Sequence, residues 1–325
     1  MRRSKCAAAL VMITAAAFLS SCASGGPVQK PTEKHQVALI AKSTSTEFWR
    51  SVFAGAETAA TEYNLALTVE GPGTEEDYET QNSMVARAVK NGAEVIIFSA
   101  IDYKNNAAAI DDAAEAGVKI VTIDSGVDSD APSTYIGTDN YAAGQMAAQA
   151  ALECGYRHLC VGLVNYDVNS ANGQERERGA LGSLIGRKDV TYSGTINVLA
   201  VAENAQAGTA ALLEQHPEIN VLIAFNEPVS VGAARAVSEL KLSDKVWLVG
   251  FDSNVEAVDD LQTGVVDALI VQNPYAMGYL GVESAYQLIN GQGGNLQSTV
   301  DTTTTIVDLK NMFTPDGQKT LFPFN

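Results

Sequence analysis

Val246-Trp247-Leu248-Val249-Gly250-Phe251-Asp252 (VWLVGFD) is a short apolar run that ends in a ring and a carboxylate. Bounded by a polar loop, such a run suits a strand covered on both faces of a parallel sheet. In open α/β sheets the carboxyl ends of the strands face the ligand crevice. Phe251 and Asp252 therefore fall where a ligand would lie. Four other stretches end in the same manner: FSAID (98–102), VTIDS (121–125), AFNEP (224–228) and LIVQNP (269–274). Their polar ends are expected to converge on one site.

Outward from that strand, the pattern alternates in both directions. Strands are predicted at Gln36–Ala41, Leu65–Glu70, Glu94–Ser99 and Val118–Ile123, then Leu159–Val164, Val190–Val198, Asn220–Phe225, Asp267–Gln272 and Thr303–Asp308. Helical periodicity fills the intervals, with stops at Asn91-Gly92 and Gly117. Regular strand–helix alternation implies right-handed βαβ units and parallel sheets. About ten strands divide into two sheets, hence two doubly wound, Rossmann-like lobes of the α/β class joined by a multi-strand hinge. The expected crossings lie near Thr138–Asn140, Gln272–Pro274 and Asp301–Thr303. They give one lobe of residues 36–138 plus 273–301 and another of 139–272 plus 302–325.

The amino terminus reads as a leader. Met1–Lys5 carries three positive charges, and Cys6–Leu19 is small and apolar. That run is too short to span a bilayer as a helix, which takes about 20 residues. The ending Leu19-Ser20-Ser21-Cys22 resembles the bacterial lipoprotein box, which implies a signal peptide of residues 1–21 and lipidation of Cys22. The Gly-, Ser- and Pro-containing residues 22–35 then form a flexible tether. Cys154 and Cys160 remain, either as a disulfide across a short loop or as two thiols.

The formal charge of −17 becomes about −20 without Arg2, Arg3 and Lys5. No basic patch offsets it, which argues against nucleic acid or anionic lipid as a surface partner. Three histidines without ligand-like spacing argue against a metal site. Lys42-Ser43-Thr44-Ser45-Thr46 stands where a dinucleotide-binding glycine fingerprint would follow the first strand. There is also no phosphate loop and no nucleophile elbow. No cofactor is expected. Asp124 and Asp252 could act as an acid/base couple or as two acceptors for ligand hydroxyls.

The strand ends, taken together, resemble the sugar-binding proteins of bacterial ABC importers. The motifs are ALIAKSTSTEFW, VTIDS, TDNY, RERG, AFNE, VGFD and VQNP, over roughly Gln36 to Asp308. The fold implied is the type I periplasmic binding protein fold, shared by ribose- and galactose-binding proteins and the ligand domains of LacI-type repressors. By position, the resemblance implies that Phe48, Trp49 and Phe251 pack on a sugar ring. It implies that Asp124 and Asp252 accept hydroxyl protons and that Arg178, in Glu177-Arg178-Gly179, donates. Asn226 and Gln272 match amides that do both. Lys42 ends the first strand and is expected to face the cleft. Each has an ordinary alternative: core for Trp49, a surface ion pair for Arg178, a turn for Asn226.

This chain departs from the ribose pattern at Thr46, Ser99 and Ser125, where ribose binders carry Asn, Asn and Arg. Lys42 replaces a small hydroxyl residue. The segment near Ala200–Asn204 supplies no ring. Ribose-specific donors are therefore missing, and another pentose, a hexose, a cyclitol or a furanose-like signal fits. The resemblance implies a non-enzymatic, extracytoplasmic, lipid-anchored and monomeric binding protein. It would capture a monosaccharide or polyol by hinge closure and deliver it to an ABC permease. A sugar-sensing subunit for a histidine kinase or chemoreceptor is the alternative, and an exported glycoside-type hydrolase a remote one.

Overall fold

The structure, a computed structural model, describes residues 33–322. The expected signal peptide, Cys22 and nearly all of the tether lie outside the described residues. The first half of the chain runs β1 (Gln36–Ile40), α1 (Glu47–Glu62), β2 (Ala66–Glu70), α2 (Tyr78–Lys90), β3 (Val95–Phe98), α3 (Ala107–Glu115), β4 (Lys119–Ile123) and β5 (Pro132–Gly137). It continues through α4 (Asn140–Leu152), β6 (Leu159–Asn165), α5 (Ala171–Leu184), β7 (Val190–Asn197), α6 (Ala202–Gln215), β8 (Val221–Ala224) and α7 (Glu227–Glu239). Then come β9 (Trp247–Phe251), α8 (Val255–Thr263), β10 (Ala268–Val271), α9 (Pro274–Ile289), β11 (Thr299–Asp301), β12 (Thr305–Asp308) and α10 (Pro315–Leu321).

These strands form two six-stranded sheets of matching order, β11-β5-β4-β3-β1-β2 and β12-β10-β9-β8-β6-β7. Every pairing is parallel except that of β10 with β12. The central strands Val95–Phe98 (VIIF) and Val221–Ala224 (VLIA) are buried at every position. Alternate residues of a strand point to opposite faces. In the first sheet Val37, Leu39, Val95 and Ile97 join the core beneath α1 and α9, whereas Ala38, Ile40, Ile96 and Phe98 join the core on the other face.

The chain passes between the sheets at Thr138–Asp139, at Gln272–Asn273 and at Thr302–Thr304. These passages are cross-linked. Thr138 Oγ1 donates to Gln272 Oε1 at 2.9 Å, and the Thr302 N–H donates to the Gly137 carbonyl at 2.7 Å.

Among the described residues there are twelve strands, not about ten. The sequence pattern misses β5 and β11. β5, PSTYIG, starts on proline and lacks an apolar run, and β11 is three residues long. α10 is also missed, and α3 does not follow directly on the FSAID stretch but starts at Ala107. Asp102 delays it by accepting the N–H groups of Lys104 and Asn105 in a turn.

Candidate functional site

Both cleft carboxylates sit in the same backbone corner. Asp124 follows the last residue of β4 with φ 57°, and Asp252 follows the last residue of β9 with φ 68°. This left-handed region is open to Asp more readily than to most side chains. Each aspartate still donates its N–H to the neighbouring strand, Asp124 to Ile136 and Asp252 to Ile270, both at 3.0 Å. The ladder is thus kept while the chain turns out of the sheet.

Helix starts supply the next groups. Thr46 caps α1 by accepting the Trp49 N–H at 3.3 Å, and this brings Phe48 and Trp49 to the first turn. Their rings meet edge to face at 5.2 Å. Asn226 caps α7 through Oδ1, which accepts the Val229 N–H at 3.1 Å. The turn role foreseen for Asn226 and a place in the cavity are therefore compatible.

Lys42, Thr46, Phe48, Trp49, Asp124, Asn226, Asp252 and Gln272 line one narrow cavity with free room of only about 20 Å³. That is far below the volume of ligand sites, so a ligand of sugar size enters only when the lobes part. Glu75, Tyr166, Asn172 and Arg176 line it as well, unexpected from the sequence, together with Glu227 of the AFNEP strand end. Tyr166, just past the end of β6, brings a ring, where the stretch near Ala200 has none.

Three expected residues stand behind the cavity wall instead. Ser99 Oγ donates to Asp124 Oδ2 at 2.9 Å, so it orients a carboxylate. Ser125 is buried with its hydroxyl unpartnered among the described residues. Phe251 lies fully buried under the Arg176 guanidinium, 4.6 Å from ring centroid to Cζ.

Arg178 is a correction. Its side chain is 68% exposed, 3.8 Å from Glu175 Oε1 and over the Tyr141 ring. The buried face of α5 is Asn172, Gly173, Arg176, Gly179, Ala180 and Leu184. A helix turns 100° per residue, so two residues carry the chain from that face to the opposite one. The guanidinium of the Arg-Glu-Arg-Gly motif that reaches the site belongs to Arg176.

Arg176 is 1% exposed and commits three of its five N–H donors within the protein. Nε donates to Asn140 Oδ1 at 2.8 Å, Nη1 to the Phe225 carbonyl at 2.7 Å and Nη2 to Gln272 Oε1 at 2.8 Å. Gln272 Nε2 in turn donates to Asp252 Oδ1 at 2.6 Å. Asn140 and Gln272 flank two of the passages between the sheets, so the guanidinium ties the cavity to them.

At the opposite end, Lys42 Nζ donates to Ser170 Oγ at 3.1 Å, lies 3.1 Å from Glu75 Oε2 and sits over the Tyr166 ring. Asn172 Oδ1 accepts from Tyr166 and Ser170, and its Nδ2 donates to Asp124 Oδ1 at 3.2 Å. The two lobes are in contact here. Glu227 Oε2 accepts the Phe48 N–H at 2.7 Å, and its Oε1 accepts the Glu47 N–H at 3.1 Å. Glu47 Oε2 reciprocates by accepting the Val255 N–H at 3.3 Å. Each carboxylate meets the positive end of a helix in the other lobe.

Burial dominates the acid–base chemistry. It pushes Asp252 up to about 7, against the opposing fields of Arg176 and the Gln272 hydrogen bond. Asp124 is raised for the same reason, against Lys42 and Arg176. Glu227 is raised by burial despite the N–H groups it accepts. Burial alone would lower Lys42, but the fields of Glu75, Tyr166 and Asp124 outweigh it and keep the ammonium charged.

Among the described residues no group of three His, Cys, Asp or Glu could hold a metal ion. Cys154 and Cys160 are free thiols, which removes the disulfide alternative from this structure. No helix among the described residues is long and apolar enough to cross a membrane.

Residues 37–293 match the family described as periplasmic binding protein domain. The D-ribose/D-allose-binding protein of Pseudomonas aeruginosa is 26% identical over 299 residues, which cover 86% of this chain and 91% of that one. A carbohydrate transporter solute-binding protein from Agrobacterium radiobacter, solved with D-arabinose, superposes with a TM-score of 0.85 at 27% identity. It covers 89% of this chain and 99% of its own. An ABC transporter solute-binding protein from Agrobacterium vitis with bound D-fucose gives a TM-score of 0.84 at 25% identity, covering 88% and 100%. These relatives are named for binding and transport, not for turnover.

Proposed function

The chain belongs to the periplasmic binding protein family, and we propose that it captures a monosaccharide or similar polyol and delivers it to an ABC importer. The observation that carries this reading is the convergence of Asp124, Asp252, Asn226, Arg176 and the Phe48–Trp49 pair on one narrow cavity. Hydroxyls both donate and accept, and this set offers both capacities. Rings offer a face to the C–H side of a sugar. D-ribose, D-allose, D-arabinose and D-fucose, named for the relatives, define the first compounds to try.

In mechanism, the lobes are residues 36–138 plus 273–301 and 139–272 plus 302–325. They part and close about the three passages, the hinge motion such proteins use. Closure strips water from Asp124, Asp252 and Arg176, and that desolvation is offset only when ligand hydroxyls complete their hydrogen bonds. The Glu227 and Glu47 contacts across the cleft then hold the closed form that a permease would recognise. Lipidation at Cys22 would keep the protein at the extracytoplasmic face of the membrane.

The test is calorimetric titration of the chain from Ala23 onward against the four named sugars, further hexoses, inositols and nucleosides. One-to-one binding of one compound, lost in Asp252→Ala, is the expected result. No heat from any of them would refute sugar capture and turn attention to a different cargo. Growth of a deletion strain on the bound sugar separates import from sensing. Loss of uptake is expected; retained uptake with a lost transcriptional response would favour a sensor.

A further inference from the structure

Glu75 lies in the loop between β2 and α2, and its carboxylate enters the cavity from the side. Both oxygens are engaged. Oε2 lies 3.1 Å from Lys42 Nζ, and Oε1 accepts the Trp49 indole N–H at 3.0 Å. The ion pair is nearly sealed from water, with side-chain exposures of 2% for Lys42 and 11% for Glu75. Lys42 is the only ammonium that lines the cavity among the described residues. The other cation, Arg176, commits three of its five N–H donors to Asn140, Phe225 and Gln272, and Gln272 in turn links it to Asp252.

An ammonium in a water-poor cleft is a natural anchor for a ligand carboxylate, because charge-assisted hydrogen bonds are strongest there. Here the chain fills that position with a carboxylate of its own. A sugar acid would have to displace Glu75 and leave its charge buried and unpaired. Otherwise it must sit beside Glu75 with Asp124 close by. Both are costly. A neutral hydroxyl meets neither obstacle. Lys42 has three N–H donors, two of which go to Glu75 and Ser170. The third remains for a hydroxyl or ring oxygen.

We propose that Glu75 is a specificity-determining residue: by occupying the Lys42 ammonium it restricts the cavity to uncharged polyols and shuts out sugar acids. The inference rests on the cavity being the ligand site proposed above. Removing Glu75 vacates both the space and the charge, and a uronate carboxylate placed there restores the charge balance of the native cleft. Trp49 loses its acceptor in the same change, so the ring that packs on the ligand loosens too.

The experiment titrates the full-length protein and its Glu75→Gln and Glu75→Ala variants with D-glucose, D-galactose and D-arabinose and with D-glucuronate, D-galacturonate and D-arabinonate. The unaltered protein is expected to bind none of the acids measurably. Glu75→Ala should gain affinity for at least one acid by tenfold or more, and Lys42→Met in that background should abolish the gain. Glu75→Gln, which keeps the volume, should show the same trend and serves if the alanine variant fails to fold. Acid binding by the unaltered protein as tight as its neutral-sugar binding would overturn the proposal. So would folded variants of both kinds that gain no affinity for any acid. Absence of neutral-sugar binding by the unaltered protein counts against the sugar cargo, whereas the acid titrations read Glu75 separately.

Discussion

The two lobes share a frame and differ in how they hold charge. Each sheet has the same strand order, and each places an aspartate in a left-handed corner above its strands. Each also packs a helix pair through glycines. A Cβ on Gly55 or Gly278 would run into the Tyr275 or Val52 carbonyl where α1 meets α9. One on Gly144 or Gly179 would meet the Arg176 or Tyr141 carbonyl where α4 meets α5. The charges are arranged otherwise. The first lobe pairs Lys42 with Glu75 inside itself and holds Asp124 with Ser99 of the same lobe and Asn172 of the other. The second directs Arg176 to neutral acceptors beside the interlobe passages and holds Asp252 through Gln272. The duplicated part is backbone geometry, which sets where a ligand can lie. The part that diverges is charge, which sets what kind of ligand is accepted.

The largest expected effect breaks the shared frame. Gly278→Ala and Gly144→Ala should each destabilise the protein by about 3 kcal/mol, since backbone must move at both crossings. Urea denaturation measures this, and a loss under 1 kcal/mol at either site would mean that its crossing is looser than described. A comparable effect sharpens the contrast between the aspartates. Asp252 titrates near 7 in the folded chain, against 3.8 for its ordinary value. The folded state therefore holds a proton that the unfolded state has released across that window. Stability without ligand should fall as pH rises from about 4 to about 7, by roughly 3 kcal/mol. Asp252→Asn should make that slope shallower, leaving the share of Asp124 and Glu227, which burial also raises; an unchanged slope would assign it to those groups alone. The smallest concerns Ser99. Removing its hydroxyl in Ser99→Ala takes one of two donors from Asp124 and should weaken ligand binding by about 1 kcal/mol. An unaltered dissociation constant would show that Asn172 alone orients the carboxylate.

Much of this was legible in the residues. Runs such as VIIF and VLIA announce strands buried on both faces, and VTIDS and VGFD place carboxylates at strand ends. β5 and β11 were not legible, because one begins on proline and the other is held by pairing over three residues. Glu75, Tyr166 and Asn172 escaped for a related reason. They come from segments whose local pattern is polar loop or strand end, and only the packing of the lobes aims them at one cavity. Arg176 could have been found. Along α5 the small residues Gly173, Gly179 and Ala180 mark the inward face, and Arg176 lies on it at helical spacing. Matching the motif by its Arg-Gly pair selected Arg178, its outward neighbour.

That pair of arginines gives the most direct test. Dissociation constants for the bound sugar should be measured by calorimetry for Arg176→Ala and Arg178→Ala. Arg176→Ala is expected to weaken binding by about 2–3 kcal/mol, since hydrogen bonds from a charged group are lost and Gln272 is freed from its position. Arg178→Ala should stay within about 0.5 kcal/mol of the unaltered protein, as exposed ion pairs do. The reverse order would place the ligand outside the cavity between the lobes and contradict the account.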